Sequence, residues 1–271
     1  FSYNLSSGRL KTLASFSGSN GKFPYAGLIN VDGTLYGTTL KGGKANDGTL
    51  FSYKPSSGHL NTRVSFNGSN GTYPMAGLTN VDGTLYGTTH AGGRVSDGTL
   101  FSYDPSSGNL TTRANFTGSN GNGPRGPSAG LTVVDGTLYG TTSAGGKDND
   151  GTLFSYNPSR SHLMTRVSFN KSKGQYPSAP LSNIGGTLYG TTSAGGKSKK
   201  GTLFSYNPSS GHLKTRVNFT KSNGANPVGG LTDAGGTLYG TTKRGGKSNY
   251  GTLFSYNLSS GRLKTLASFS G

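Results

Sequence analysis

The sequence predicts an all-β fold made of one unit repeated in tandem, and three observations carry that reading. The stretch Gly-Thr-Leu-Tyr-Gly-Thr-Thr occurs five times without internal change, at residues 33–39, 83–89, 136–142, 186–192 and 236–242. Successive starts lie 50, 53, 50 and 50 residues apart, a period that overrides the one-or-two-domain arithmetic of a 271-residue chain. Apolar and polar residues alternate in short runs bounded by Gly, Pro, Asn and Asp, and no segment has helical periodicity.

Aligned on Phe-Ser-Tyr, the chain divides into units 1–50, 51–100, 101–153, 154–203 and 204–253, with a closing hairpin at 254–271. Each unit reads as four short strands. The first is Thr-Leu-Phe-Ser-Tyr, 49–53 in one copy, rich in β-favouring residues. A Pro55-Ser-Ser-Gly58 turn follows, with fixed φ at Pro and positive φ available at Gly. The second strand, 60–66, sets Leu60, Thr62, Val64 and Phe66 on one face and Asn61, Arg63 and Ser65 on the other. After a Gly-Ser-Asn-Gly loop, the third strand (near 77–81) meets the fourth (84–89) across Asp82-Gly83, a strong hairpin signal. Gly185-Gly186 and Gly235-Gly236 replace that dipeptide with the same geometry available.

Four antiparallel strands in roughly 40–50 residues is the signature of a β-propeller blade. The expected architecture is a five-bladed propeller with one surplus hairpin shared between the termini; a β-solenoid is the competing one. Gly37, Gly87, Gly140, Gly190 and Gly240 suit crowded packing near the axis. The one length change, Pro124, Arg125 and Gly126 within 123–128, falls between strands.

Residues 1–18 and 254–271 are identical, while the internal copies differ; Arg63, Arg113, Arg166 and Arg216 stand where the ends have Leu13 and Leu266. The chain thus holds six copies of the first two strands and five of the others. Recent duplication, a ring-closing segment read twice, and a hairpin available for exchange with a neighbouring chain are the three readings of this redundancy.

Composition sets further bounds. Of 15 Tyr, 11 lie in the Leu-Tyr-Gly or Phe-Ser-Tyr motifs, and 12 of 13 Phe sit at repeat-fixed positions, which marks these aromatics as the core. Lys and Arg total 26 against nine acids, all Asp, and the formal charge of +17 favours polyanionic partners: acidic polysaccharide, nucleic acid as a non-specific polyanion, or an anionic surface. The alternative is a basic but passive surface. Zero Cys excludes disulfides and thiolate metal sites. No apolar run approaches the roughly 20 residues that span a bilayer. Phe1 in place of Met reads as a processed or truncated product.

Gly224-Ala-Asn-Pro227, Gly230-Leu231, Gly236-Thr-Leu-Tyr-Gly-Thr-Thr242, Gly245-Gly246, Gly251-Thr-Leu-Phe254 and Ser268-Phe269-Ser-Gly271 form a jointly spaced string. It resembles the GloVer-type tandem repeat of bacterial extracellular proteins, over essentially the whole chain. The departure is Phe-Ser-Tyr after Gly-Thr-Leu, where the family more often has a Lys-containing strand. The resemblance implies a propeller-like, secreted or surface-displayed protein, and it supplies no catalytic residues to carry over. In blade number alone the chain is similar to five-bladed invertebrate lectins.

Nothing in the residues converges on catalysis. Without Glu or Cys, acid–base pairs must come from Asp and His. Asp32, Asp82 and Asp135 are explained by the hairpin turns, and Asp47, Asp97 and Asp150 by the turn before Gly-Thr-Leu. His59, His162 and His212 occupy one repeat position, better read as one solvent-facing place per unit than as a metal site; no metal or cofactor is expected.

Multivalent binding fits better, because each blade offers an equivalent surface. One basic ring follows each Gly-Gly: Lys44, Arg94, Lys147, Lys197 and Lys247. A second is Arg63, Arg113, Arg166 and Arg216. A third set is the position before Pro, with Phe23, Tyr73 and Tyr176, and Asn226 in another copy, beside Asn20, Asn70, Asn120 and Asn223. An aromatic face stacks on a pyranose while amides read its edges; the plainer reading is that aromatic-Pro plugs the gap between blades. The expectation is a non-catalytic, lectin-like protein that binds glycans or acidic polysaccharides, with a polyanion-binding or cell-surface scaffold role as the alternative.

Overall fold

Five tight hairpins set the local structure. Asp32-Gly33, Asp82-Gly83 and Asp135-Gly136 have φ of 48° and 75°, 49° and 82°, and 47° and 68°, and Gly185-Gly186 and Gly235-Gly236 are likewise positive at both residues. Two positive φ values in succession define the type I′ turn whose twist matches a right-twisted ribbon. Asn30, Asn80 and Asn183 lock three of these turns by accepting the N–H of Gly33, Gly83 and Gly186 through Oδ1 at 2.9–3.0 Å.

In the computed structural model, residues 1–121 and 130–270 are described. The lengthened loop expected at 123–128 lies outside them. Each hairpin is the inner half of a four-stranded antiparallel meander. From the inner to the outer strand, the first sheet runs Ile29–Val31, Thr34–Thr39, Thr49–Lys54 and His59–Ser65. The second has Thr79–Val81, Thr84–Thr88, Thr99–Tyr103 and Leu110–Asn115, and the third Thr132–Val134, Thr137–Thr142, Thr152–Asn157 and His162–Ser168. The fourth has Ser182–Ile184, Thr187–Thr192, Thr202–Asn207 and His212–Asn218, and the fifth Thr232–Ala234, Thr237–Thr242, Thr252–Asn257 and Leu263–Ser268. A sixth, two-stranded sheet pairs Ser2–Asn4 with Arg9–Lys11. Each four-stranded sheet therefore straddles a Phe-Ser-Tyr unit boundary, because the chain lays the inner hairpin of one unit beside the outer hairpin of the next.

The invariant stretch is explained by packing. A Cβ on Gly37 would lie 2.7 Å from both Phe51 Cζ and Leu28 Cδ2, and one on Gly140 would lie 2.5 Å from Phe154 Cζ. The crowding that demands Gly comes from a Phe on the paired strand and a Leu of the same sheet. The closing Thr is fixed by hydroxyl pairing: Thr39 with Thr49, Thr142 with Thr152 and Thr192 with Thr202 meet at 2.8 Å, all buried. Thr49, Thr152 and Thr202 also donate to the backbone of the preceding loop at Asn20, Asn120 and Lys173.

The cores lie between sheets. Among the described residues four clusters join sheet one to two, two to three, three to four and four to five. Each repeats one device, a Phe after the outer strand set against a Phe of the next sheet's third strand: Phe66 on Phe101, Phe116 on Phe154, Phe169 on Phe204 and Phe219 on Phe254, with centroids 5.0–5.2 Å apart. Each fully buried Phe contributes about 1.5–3 kcal/mol. Phe16, beyond the N-terminal hairpin, makes the same pair with Phe51 at 4.9 Å. Among the described residues no helix is present, and none is long and apolar enough to cross a membrane.

Candidate binding grooves

The geometry that brings cations together begins with a β-bulge. In the first sheet Phe51 faces Thr62 but Leu50 faces Val64, so Arg63 is the extra residue of the outer strand. The same shift makes Arg113, Arg166 and Arg216 extra in the next three sheets. A bulge re-aims a side chain. Here each Arg lies along the sheet and donates its Nε to the Ser of the third strand: Arg63 to Ser52, Arg113 to Ser102, Arg166 to Ser155 and Arg216 to Ser205, at 2.7–2.8 Å. All four arginines remain exposed residues. Burial pushes the phenols of Tyr103, Tyr139, Tyr206 and Tyr256 up, and the nearby Arg63, Arg166 or Arg216 pulls them partly back down.

The Gly-Gly loop delivers the second cation. Gly42 and Gly43 have φ of 89° and 76°, and a Cβ on Gly42 would sit 2.6 Å from Gly18 O. The next residue, Lys44, points its side chain outward while its N–H donates to Ser65 Oγ at 3.4 Å; Arg94 N–H and Lys197 N–H donate to Asn115 and Asn218 Oδ1 at 2.8 Å. All five residues of this ring, with Lys147 and Lys247, are exposed. Lys44 and Arg63 thereby line one open groove, floored by Ser19, Thr62, Ser65 and Asn67. The equivalent groove of the fifth sheet holds Lys247 with Ser222, Thr265 and Ser268, and Leu266 in place of the Arg. In the third sheet the corresponding loop carries Asp148 and Asp150 beside Asn170 and Lys171. Charge therefore varies from groove to groove on a constant frame.

The remaining expected site residues divide by role. Asn20, Asn70, Asn120 and Asn223 close their own loops: each Oδ1 accepts an N–H three residues back, from Ser17, Asn67, Thr117 and Thr220, at 2.7–2.9 Å. Their carbonyls are committed to the turn. Phe23, Tyr73, Tyr176 and Asn226 have φ of 55–58°, strained for a bulky residue. At Tyr73, Tyr176 and Asn226 the strain is offset by bonds on both sides. Tyr73 N–H donates to Asp47 O of the preceding sheet at 2.8 Å, and Tyr73 O accepts from His90 N–H at 3.1 Å; Tyr176 and Asn226 repeat the pattern with Asp150 and Lys200.

The plug between sheets is the following Pro rather than the aromatic. Pro74, Pro177 and Pro227 are buried against Gly48, Gly151 and Gly201, whereas Phe23 and Tyr176 keep 54% and 44% exposure. Phe23 stacks on Tyr25 at 6.4 Å, and Lys41 Nζ lies 5.8 Å over the Tyr73 ring. The grooves holding Lys44 and Lys247 contain none of these aromatics. In the first sheet the structure thus brings Lys44 of one basic ring beside Arg63 of the other, in a groove apart from the aromatic loops. Sequence reading missed the pairing of Lys44 with Arg63, because the bulge that produces it interrupts a clean alternation.

On another face, Asp32, Asp82 and Asp104 line an open pocket with Tyr36 and Pro105. Hydrogen bonds from Ser106 and Ser107 hold the Asp104 carboxyl down at about 2.

Repeated four-stranded meanders packed face to face define a propeller-like tandem-repeat protein. The model of the Gloeobacter/Verrucomicrobia repeat matches residues 1–129 and 120–271, and the chain belongs to that family. Among solved structures, the extracellular domain of BT4673 from B. thetaiotaomicron is similar at TM-score 0.62 and 17% identity, over 96% of this chain and 29% of that one. A chain of the nidogen/laminin complex gives 0.55 and 16%, over 89% and 77%. TolB from Acinetobacter baumannii gives 0.52 and 13%, over 88% and 52%. At such identities the likeness concerns the fold, and the chain spans under a third of the BT4673 extracellular-domain chain and about half of the TolB chain. No relative was found among functionally curated proteins.

Proposed function

We propose that this chain is a non-catalytic, multivalent carbohydrate-binding protein with five blades, and that the preferred ligand is an acidic polysaccharide. The supporting observation is the convergence of Lys44 and Arg63 on one hydroxyl-floored groove. A fixed guanidinium meets a carboxylate or sulfate in a planar fork, a mobile ammonium adds a point charge, and Ser, Thr and Asn groups reach sugar hydroxyls. Each groove is shallow and open, so affinity comes from several grooves engaging one chain. The half-exposed rings of Phe23 and Tyr176 supply a stacking surface apart from the grooves. A secreted or surface-displayed location fits the family and a polysaccharide ligand.

A glycan array read at low and physiological salt tests this proposal. Binding to uronate- or sulfate-bearing glycans above neutral ones supports it, and an array blank at both salts removes it. The second reading, a purely electrostatic polyanion binder, rests on the +17 charge. It predicts equal binding to nucleic acid and to acidic glycan, with affinity falling steeply as salt rises.

A further inference from the structure

In every sheet the Gly-Gly loop packs on the loop that leads into that sheet. Gly43, Gly93, Gly146, Gly196 and Gly246 donate their N–H to the carbonyls of Gly18, Gly68, Gly118, Lys171 and Lys221 at 2.8–2.9 Å. The five loop pairs therefore share a backbone, but they differ sharply in charge. The fourth pair carries Lys171, Lys173, Lys197, Lys199 and Lys200, all exposed. At the matching positions the first pair has Gly18, Asn20, Lys44, Asn46 and Asp47, and the second has Gly68, Asn70, Arg94, Ser96 and Asp97. The third sets Asp148 and Asp150 against Lys147. Lys-Ser-Lys occurs twice in the sequence, at 171–173 and 197–199, and the fold lays both copies in this one pair. Residues 154–271 hold 15 of the 26 Lys and Arg but one of the nine Asp, so the +17 charge is concentrated in the later sheets.

These lysines do not sit where a solvated surface would place them at no structural cost. Lys199 has φ of 57°, at a position held elsewhere by Asn46, Asn149 and Asn249 with φ of 57–63°. Asn tolerates that region better than Lys. Those three asparagines also accept the N–H of Gly42, Gly145 and Gly245 through Oδ1 at 2.8–3.1 Å, a bond that an ammonium cannot accept. Lys173 likewise replaces the loop-closing asparagine of the other four pairs; Asn170 Oδ1 accepts the Ser172 and Lys173 N–H groups in its place, at 3.2 and 2.9 Å. Lys200 replaces Asp47, Asp97 and Asp150 at a position whose backbone alone serves the seam: Asp47, Asp150 and Lys200 O each accept an N–H of the next loop at 2.8–2.9 Å. Two turn-closing amides and one acid have become cations within one loop pair.

We infer that the fourth loop pair is the primary anchor for a densely sulfated polysaccharide, an inference that rests on the acidic-polysaccharide reading above. A guanidinium held along a sheet, like that of Arg63, suits a carboxylate because the two match as planar forks. Five ammoniums on flexible stems offer point charges without a fixed fork, so they respond to the density of anionic groups rather than to the shape of one. Ser172 and Ser198, exposed between the lysines, place hydroxyls among the cations for the sugar itself. The surroundings give the ligand a direction. Lys171 borders an open pocket with Asp148 and Asp150 of the third loop, which repel an anionic chain on that side. On the other side the Asn226 N–H bonds Lys200 O, and the fifth loop pair offers Lys221 and Lys247 with no acid at the matching positions. A chain held at the fourth pair thus runs toward the fifth, where the further contacts form at high effective concentration.

The test measures binding of the full chain to dextran sulfate, polygalacturonate and duplex DNA across a salt series. The variant combines Lys173→Asn, Lys199→Asn and Lys200→Asp, which install residues that other loop pairs carry. Dextran sulfate is expected to bind tightest, and the variant to lose at least about tenfold, with a log-affinity against log-salt slope smaller by about three. Its Tm is expected to equal or exceed that of the parent, since the restored amides close their turns; a lysine cluster that served the fold would lower it. A charge-matched control changes the exposed strand residues Lys11, Lys54, Lys214 and Lys264 to Gln and is expected to lose less than about threefold. The reciprocal Asn46→Lys and Asp47→Lys pair is expected to strengthen binding through the first loop pair. Equal losses in variant and control overturn the inference, as does polygalacturonate or DNA bound as tightly as dextran sulfate. A chain that binds no polysaccharide removes the proposed function and this anchor together. One that binds polysaccharide but ignores the triple change removes the anchor alone.

Discussion

Phe219 and Phe269 stand at the same position after the outer strands of neighbouring sheets, each three residues beyond the bulged residue of its strand. One is fully buried against Phe254; the other is 45% exposed. The comparison separates two things that a repeat makes easy to confuse. Sequence places an aromatic on a face, but burial depends on whether another sheet arrives. The same contrast runs through the grooves: Lys44 and Lys247 sit on matching loops, yet only the first has an Arg beside it.

The sharpest way to break the comparison is to truncate both aromatics. Phe219→Ala is expected to cost about 3–5 kcal/mol, because it empties a closed junction. Phe269→Ala, measured in dilute protein, is expected to cost less than about 1 kcal/mol. Denaturant melts of the two variants check this, and equal losses would mean that the fifth sheet is covered even in the single molecule. Gly190→Ala comes next, at about 1–3 kcal/mol, since its Cβ would lie 2.6 Å from Phe204 Cζ and 2.8 Å from Leu181 Cδ2.

The grooves give a smaller effect that is read in binding. Changing Lys44, Arg94, Lys147, Lys197 and Lys247 to Gln is expected to lower affinity for an acidic polysaccharide. The log-affinity against log-salt slope should shrink by about one for each cation that was engaged. Arg63→Gln should act in the same direction, and Leu266→Arg in the opposite one, by completing the fifth groove. Isothermal titration across a salt series reads all three.

The smallest effects concern pH. Burial raises the phenol pKa of Tyr103, Tyr206 and Tyr256, so the folded state holds these protons more tightly than the unfolded chain. Their contribution is fully present below the ordinary tyrosine pKa near 10 and is lost as pH rises past it. Thermal melts are therefore expected to fall above that pH. The Asp104 carboxyl is depressed to about 2, so its contribution is present above the ordinary Asp pKa and fades as pH drops through about 2. Asp104 sits in a solvated turn, so Asp104→Asn should barely move the melt, while carbon-detected NMR titration should show the low pKa directly.

Much of this molecule was legible in its residues. The period gave the number of hairpins, Asp-Gly and Gly-Gly gave the turns, and alternation gave the strands to within a residue or two. Gly37 and its copies read correctly as crowded, although the neighbour that crowds them is a Phe across the ladder rather than the axis. The site was half legible. Both basic rings could be listed from sequence, but the meeting of Lys44 with Arg63 depends on the bulge at Arg63, which is a property of the ladder and has no local signature. The loop asparagines looked like ligand readers because an amide that closes a turn and one that faces a sugar are the same residue in a sequence.

By itself, then, the sequence determined the repeating unit, because turn dihedrals, strand alternation and the fit of Phe over Gly are settled within a few residues or across one pair of strands. Only the tertiary structure decided which faces are dry, which cations share a groove and which prolines plug a seam. Those depend on how one sheet steps to the next, and no residue encodes that step alone.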